Sequence, residues 1–370
     1  GAGEAGGRVV AAGAPRSLST SSRTGRVLQR KASAPRTAPR RASRGDLVVR
    51  GASANSLRDL DLVIPVGHLT VVSGVSGSGK TSLVRGVVAA SARARAPVGC
   101  RAVRGLDVFD EVVDDAAARA LRSRQSCVAT LLQVYDAVRK EYAATEDAKA
   151  RGWRAAHFAL QSKTGGACRA CRGVGAVRTD LDFLGAAQWR RCEVCRGRRF
   201  DEETLSVRWL DRDLAQLLAT SVDELLADLP SRGLARLRRT LEQAERLGLG
   251  YLKLGQSGDA LSGGEAQRLR IAQHLATEVA GASLFLMDEP TRGLHPDDVA
   301  PLLVALESLL EKGHTILAVE HDLDVIAAAD HVVDMGPGAG DEGGGVMFCG
   351  TPAALAACSA SATGGALRSR

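Results

Sequence analysis

LTVVSGVSGSGKTSLVRGVVAA, from Leu69 to Ala90, decides the fold. Leu69–Gly74 reads as a short, β-branched apolar strand, and the residues from Lys80 to about Ala90 read as a helix. Between them lies a glycine-rich turn. In this strand–loop–helix setting, Gly74-Val75-Ser76-Gly77-Ser78-Gly79-Lys80-Thr81 fits the G-x-x-x-x-G-K-[ST] phosphate loop. The glycines let backbone N–H groups turn inward on phosphates, where the helix N-terminus adds partial positive charge. ATP would lie along Gly74 to Ser82, with Lys80 reaching the β- and γ-phosphates and the Thr81 hydroxyl on Mg²⁺. Chance produces this pattern on the order of 0.01 times per chain of this composition, so an accidental glycine turn is a poor alternative.

Downstream, SLFLMDEP supplies a buried strand that delivers Asp288 and Glu289 at its carboxyl end, where ligands bind in α/β sheets. Asp288 suits an Mg²⁺ ligand acting through water, and Glu289 suits the group that orients or deprotonates an attacking water. His321, just past HTILAVE, would be the polar group that senses the γ-phosphate; that assignment rests on spacing. After Tyr251 strands and helices alternate to the end, which argues for an α/β domain with a largely parallel sheet. Upstream, LVVRGA and LRDLDLVIP alternate like strands. Residues 91–160 read as mostly helical, with ATLLQVYDAVRKEY the clearest amphipathic stretch. Leu214–Leu247 reads as helix interrupted at Pro230.

The net charge of +7 is unevenly placed. Residues 1–50 hold eleven Lys/Arg against two acids, so the remaining 320 sum to −2. Residues 1–45 and 359–370 read as disordered tails, the first either a solvated linker or a DNA-touching arm. The earliest methionine is Met287, so Gly1 reads as a point inside a longer chain. No run of eighteen apolar residues suggests a membrane span. Eight cysteines without a secretory leader favour a reducing, cytoplasmic setting.

Four of those cysteines, Cys168, Cys171, Cys192 and Cys195, match the C-x₂-C-x₁₅₋₂₀-C-x₂-C spacing of a zinc site. Four thiolates complete a tetrahedron around one Zn²⁺ and leave no open position, so the metal would be structural. From Lys163 to Arg199 nine basic residues stand against three acids. Lys163, Arg178, Arg190 and Arg191 are the candidates for contact with a phosphate backbone. The plain alternative is a zinc staple with a solvated arginine face.

LSGGEAQRLRIAQHL contains a capping box, Ser262 with Glu265, that opens a helix whose start is left bare by Gly263 and Gly264. Leu261–Glu265 resembles the ABC ATPase signature. P-loop, signature, LMDE and a following histidine in this order make the chain similar to ABC-type ATPases. In that family two domains pair head to tail, each signature closing over the other's nucleotide.

The 181 residues between Lys80 and Ser262 hold the cysteines. With GGACRACRGVG, CEVCRGRRFDEETLSVR, LGLGYLKLGQ, DEPTRGLH and VEHDLDVIAAADHVVDMGPGAGDEGG, they resemble UvrA, the ABC ATPase family of the bacterial excinuclease, in the order of its C-terminal half. The resemblance implies an ATP-hydrolysing protein that senses damaged double-stranded DNA in nucleotide excision repair. It also implies a partner that is an N-terminal ABC half or a second copy, and excinuclease subunits B and C, with no membrane. The alternatives are a paralogue giving self-resistance to DNA-binding drugs and a catalytically weakened DNA-binding zinc module. Three departures stand out. Gln125 lies out of register with the family's glutamine loop, Arg292 replaces a small polar residue, and FLGAAQWRRC lacks a proline-containing segment.

The expected architecture is an ABC-type α/β ATPase domain in two parts, 46–110 and 251–358. A mainly helical insertion, 111–250, would separate them and carry the zinc module at 163–200.

Overall fold

Among the described residues, eleven strands follow one another: β1 (Asp46–Ala52), β2 (Leu60–Pro65), β3 (Leu69–Gly74), β4 (Ala102–Arg104), β5 (Glu111–Asp114), β6 (Ala176–Leu181), β7 (Ala186–Arg191), β8 (Ser283–Asp288), β9 (Thr315–Val319), β10 (His331–Gly336) and β11 (Gly345–Gly350). The computed structural model describes residues 9–18, 22–30, 33–114, 123–181, 186–277 and 281–370. No helix among them is long and apolar enough to cross a membrane. Contacts divide the described residues into two units, one holding those of 123–277 and one holding those of 9–114 and 281–370.

The second of these units carries the P-loop. Its main sheet has the order β11-β10-β3-β9-β8-β5, parallel throughout except for β11. Every residue of β9 is buried, as are the first five of β3 and of β8. Strands covered on both faces read as continuous apolar runs, which is why these stretches do not alternate. A second, antiparallel sheet has the order β2-β1-β4. Between the sheets the segment after the P-loop forms a π-type helix, Ser82–Ala89, that continues as α-helix over Ala90–Ala94. It buries Leu83, Val84, Val87 and Val88 in one core with Leu47, Val49 and Ile64 from the small sheet and Val72, Leu286 and Val319 from the large one. Each such side chain contributes about 1.5–3 kcal/mol. The α/β expectation with a largely parallel sheet is met.

Several expectations are corrected. Residues 91–160 are not mostly helical, because β4 completes the small sheet and β5 pairs with β8. For the same reason β5 belongs to the P-loop unit, not to an insertion starting at 111. ATLLQVYDAVRKEY breaks into Val128–Leu131 and Tyr135–Ala144 around Gln133 at φ +57°. Leu214–Leu247 is interrupted around Pro230 as expected, but also at Thr220–Ser221, since capping boxes at Asp213 and Ser221 start two short helices before Ala235–Arg246.

The two tails also carry structure where they are described. Arg23–Gln29 is helical and Ser22 caps it, accepting from the Gly25 N–H at 2.9 Å. Arg23 and Arg26 pair with Asp297, and Arg23 also with Asp298. Further along, Arg30 pairs with Asp324, Arg36 with Asp330, and Arg40 and Arg41 with Glu307. At the other end Ala362–Arg368 is helical. Ser361 and Thr363 there donate to the buried carboxylate of Asp334, which Ser73 of β3 also reaches. Composition suggested solvated tails; the carboxylates that hold these residues lie elsewhere in the chain.

The Arg36–Asp330 pair is the most buried of the set, with side-chain exposures of 13% and 0%. Asp330 also accepts from the Leu69 and Arg40 backbone N–H groups. Removing one partner of a buried pair leaves an uncompensated charge, so Arg36→Ala is expected to cost about 3 kcal/mol in chemical denaturation. A loss below about 1 kcal/mol would mean that the carboxylate is effectively solvated.

Candidate nucleotide site and cysteine centre

The phosphate loop leaves β3 where that strand pairs with β10, Gly74 facing Met335. A Cβ on Gly74, at φ +126°, would stand 2.1 Å from the Met335 carbonyl oxygen. No larger residue fits that crossing. Gly77 and Gly79 also have positive φ, which curls the loop. Lys80 is buried inside the curl, its Nζ donating to the carbonyls of Gly74 (2.8 Å) and Val75 (2.6 Å). Burial lowers its pKa, against the pull of Glu289, Asp334 and Asp288. Ser78 Oγ is buried with no hydrogen-bond partner, Thr81 is exposed, and Ser82 Oγ accepts from Asn55 at 3.1 Å. Inward-curled backbone with an ammonium at its centre suits a polyphosphate.

Asp288 ends β8 directly opposite Val319 of β9, so both chains leave the sheet at one edge. Arg85 Nη2 lies 2.8 Å from an Asp288 oxygen. Glu289 adopts φ +52°, and its N–H donates to the Val319 carbonyl at 2.8 Å. A non-glycine residue in this region costs about 1–2 kcal/mol and persists only where neighbours hold it. The Glu289 carboxylate stands 3.8 Å from His321 Nε2 and 3.5 Å from Arg292 Nη1. Burial lowers the His321 pKa and Lys80 lowers it further, while Glu289 and Asp288 oppose them. The imidazole is therefore neutral at pH 7 and able to accept or donate.

Thus Lys80, Asp288, Glu289 and His321 converge on the carboxyl edge of the sheet. Thr81 and Asp288 have the donor chemistry of Mg²⁺ ligands. Two residues escaped the sequence reading. One is Arg85; the other is Glu320, 1% exposed and next to His321. Its signal was a carboxylate ending an otherwise apolar strand. Burial pushes its carboxyl up, although four hydrogen-bond donors pull it down.

In the other unit the Ser262–Glu265 capping box is formed reciprocally, at 3.2 and 2.7 Å. Burial raises the Glu265 carboxyl, but hydrogen bonds from Tyr251 and Ser262 bring it below its ordinary value. Leu261 is buried, Ser262 and Gly263 are exposed, and a Cβ on Gly263 would meet nothing within 4 Å. The fourteen-residue helix Gly263–Ala276 therefore opens with bare backbone N–H groups.

The same unit holds the cysteines, all 1–5% exposed, with their four sulfurs within 4.8 Å of one another. Cys168 and Cys192 Sγ are 4.0 Å apart, Cys171 and Cys195 3.6 Å. Sulfurs at ~2.3 Å from a tetrahedral zinc stand about 3.8 Å apart, so the set fits Zn²⁺. Burial pushes the Cys171 thiol up to about 12 and also raises Cys195, whereas backbone N–H donation from Cys195 lowers Cys192. From this base β6 and β7 rise as an antiparallel hairpin, Ala176 opposite Arg191.

Lys163, Arg178, Arg190 and Arg191 are all exposed. Beside them is a cavity of about 1060 Å³ lined by Lys163, Arg169, Arg172, Arg178, Gln125 and Trp189. The Arg124 guanidinium lies 5.0 Å from the Trp189 ring centre. Gln125 therefore sits in the cysteine-bearing unit, its carbonyl accepting from Gln161 at 3.0 Å. Residues 115–122, where a glutamine loop would begin, lie outside the described residues.

The thiol geometry generates a prediction. One Zn²⁺ per chain is expected by elemental analysis, and Cys171→Ser is expected to lose it on dialysis against a chelator. Thiols whose pKa values burial raises must shed protons to bind metal, so zinc affinity is expected to fall as pH falls. Protein purified without chelator and containing no zinc would overturn the assignment.

No family model matches the chain. It is 38% identical over 373 residues to UvrABC system protein A of Streptococcus pyogenes serotype M1, covering 98% of this chain and 39% of that one. To UvrABC system protein A of Methanothermobacter thermautotrophicus it is 42% identical over 366 residues, 96% of this chain and 38% of that one. Among solved structures, UvrA2 from Deinococcus radiodurans superposes with a TM-score of 0.84 at 37% identity, over 95% of this chain and 42% of that one. The chain spans about two fifths of the length of these relatives. Motif order, sheet topology and this similarity agree: over nearly its whole length the chain belongs to the UvrA family.

Proposed function

We propose that this chain is the C-terminal ATPase half of a UvrA-type protein, acting in the cytoplasm as the damage sensor of UvrABC nucleotide excision repair. The observation that carries this reading is the meeting of Lys80, Asp288, Glu289 and His321 at one sheet edge, with His321 3.8 Å from Glu289. Gly74–Ser82 cradle ATP, and Lys80 neutralises its β- and γ-oxygens. Thr81 and Asp288 would hold Mg²⁺, which would supply further charge neutralisation at the phosphates. Glu289 takes the proton of the water attacking the γ-phosphorus, the bond to the β-phosphate oxygen breaks, and ADP and phosphate result. Neutral His321 hydrogen-bonds the γ-phosphate.

Leu261–Glu265 closes over nucleotide held by a partner domain, an N-terminal ABC half or a second copy arranged head to tail. The zinc-stapled hairpin, with Lys163, Arg178, Arg190 and Arg191, contacts the backbone of double-stranded DNA, and excinuclease subunits B and C act on the lesion so marked. Phosphate contacts carry no sequence information, so damage is read through the lower cost of deforming a weakened duplex.

Glu289→Gln is expected to retain ATP binding and to slow single-turnover hydrolysis by about 10²–10⁴-fold, the usual worth of a positioned base. Hydrolysis per chain is expected to rise with protein concentration; a constant rate in verified monomers would refute a composite site. Replacing Arg190 and Arg191 with alanine is expected to weaken duplex binding and flatten its salt dependence. Equal affinity for intact and adduct-bearing duplex, with and without ATP turnover, would end the damage-sensor reading. Preference for drug-loaded duplex would favour the self-resistance alternative.

A further inference from the structure

Glu320 is buried immediately after the last residue of β9, its N–H donating to the Val72 carbonyl at 3.2 Å. Its carboxylate is turned toward two loops. Oε1 accepts from the Thr291 N–H at 2.8 Å. Oε2 accepts from the Thr291 hydroxyl (3.0 Å), the His321 N–H (2.9 Å) and the Asp322 N–H (3.2 Å). Thr291 lies two residues beyond Glu289, and His321 is the next residue after Glu320. One buried carboxylate therefore ties down the backbone of His321 and the turn that follows Glu289.

We propose that Glu320 is a positioning residue for hydrolysis, holding the Glu289 turn and the His321 loop in a fixed relation through these four hydrogen bonds. The chemistry of the donors explains the residue type. All four partners donate, and an ionised carboxylate accepts them all, with two oxygens and about four lone-pair sites. Glutamine in the same volume turns one oxygen into an NH₂ group that faces N–H or O–H donors. Alanine removes the shared acceptor of all four donors. Glu289, meanwhile, holds a left-handed backbone that only firm anchoring on both sides maintains. Val319 anchors one side through the Glu289 N–H, and Glu320 anchors the other through Thr291.

The inference rests on the ATPase reading, and the wild-type chain tests that reading in the same experiment. Mg-ATP affinity and single-turnover hydrolysis are measured for the wild type, Glu320→Gln, Glu320→Ala, Thr291→Val and the Thr291→Val/Glu320→Gln pair. Protein is used at concentrations where the rate per chain has levelled off. The expected result is ATP affinity within about threefold of wild type throughout. Hydrolysis is expected to fall at least tenfold in Glu320→Ala, less in Glu320→Gln, and least in Thr291→Val. The double variant is expected to be no slower than Glu320→Gln, because the two side chains act as one link. Hydrolysis at the wild-type rate per ATP-binding site in the Glu320 variants would show a merely structural role and overturn the inference. If Glu320→Ala does not fold, the isosteric glutamine variant and Thr291→Val decide by the same criterion. A wild-type chain that binds ATP without turning it over overturns the proposed function, and that outcome is distinct from an active wild type with equally active variants.

Discussion

Val72 of β3 lies opposite Val319 of β9, and Val319 lies opposite Asp288 of β8. That parallel register brings three chains out of the sheet side by side. The phosphate loop starts where β3 ends, Asp288 and Glu289 where β8 ends, and Glu320 and His321 where β9 ends. No loop has to reach across the molecule. Shifting one strand by a single residue would turn its side chains to the opposite face, and burial on both faces resists such a slip. The apolar strands therefore set the spacing of the charged groups at their tips.

Carboxylates elsewhere in the unit must also be satisfied, and this is done in several ways. Asp330 takes an arginine from the N-terminal segment and two backbone N–H groups. Asp334 takes three hydroxyls, two from the C-terminal segment. Asp324 takes Arg30 and Arg370, one from each end of the chain. Basic and hydroxyl-bearing tails are thus drawn onto carboxylates that the sheet and its flanking helices present. Lone buried carboxylates would be costly, and unpartnered arginine tails would have little reason to order.

Much of this was legible in the sequence because phosphate binding and metal ligation each demand particular residues at fixed spacing. Gly74, Lys80, Asp288 and the four cysteines have few substitutes, so pattern alone located them. The α/β class followed from the alternation after Tyr251. What stayed hidden has a common physical character. Arg36 and Asp330 are 294 residues apart, and nothing local announces their pairing. Glu320 looked like the polar end of a strand, since its donors are mostly backbone N–H groups that no sequence displays. β5 was read as part of a helical insertion because four residues carry too little periodicity to outweigh the Ala/Arg-rich chain around them.

The cysteine centre applies the same principle of a fixed base carrying a variable tip. Cys168-Arg-Ala-Cys171-Arg172-Gly173 and Cys192-Glu-Val-Cys195-Arg196-Gly197 are near-duplicates. Both arginines have φ +51°, and both glycines lie near φ +78°. Each knuckle folds its backbone toward its own sulfurs, as the Gly175 N–H does to Cys171 Sγ at 3.2 Å. The hairpin of β6 and β7 runs from the second cysteine of one knuckle to the first cysteine of the other. A two-stranded hairpin is marginal in water by itself. Joined at its root by four clustered, buried thiols, it no longer needs an apolar face of its own, and its strands are free to carry arginine.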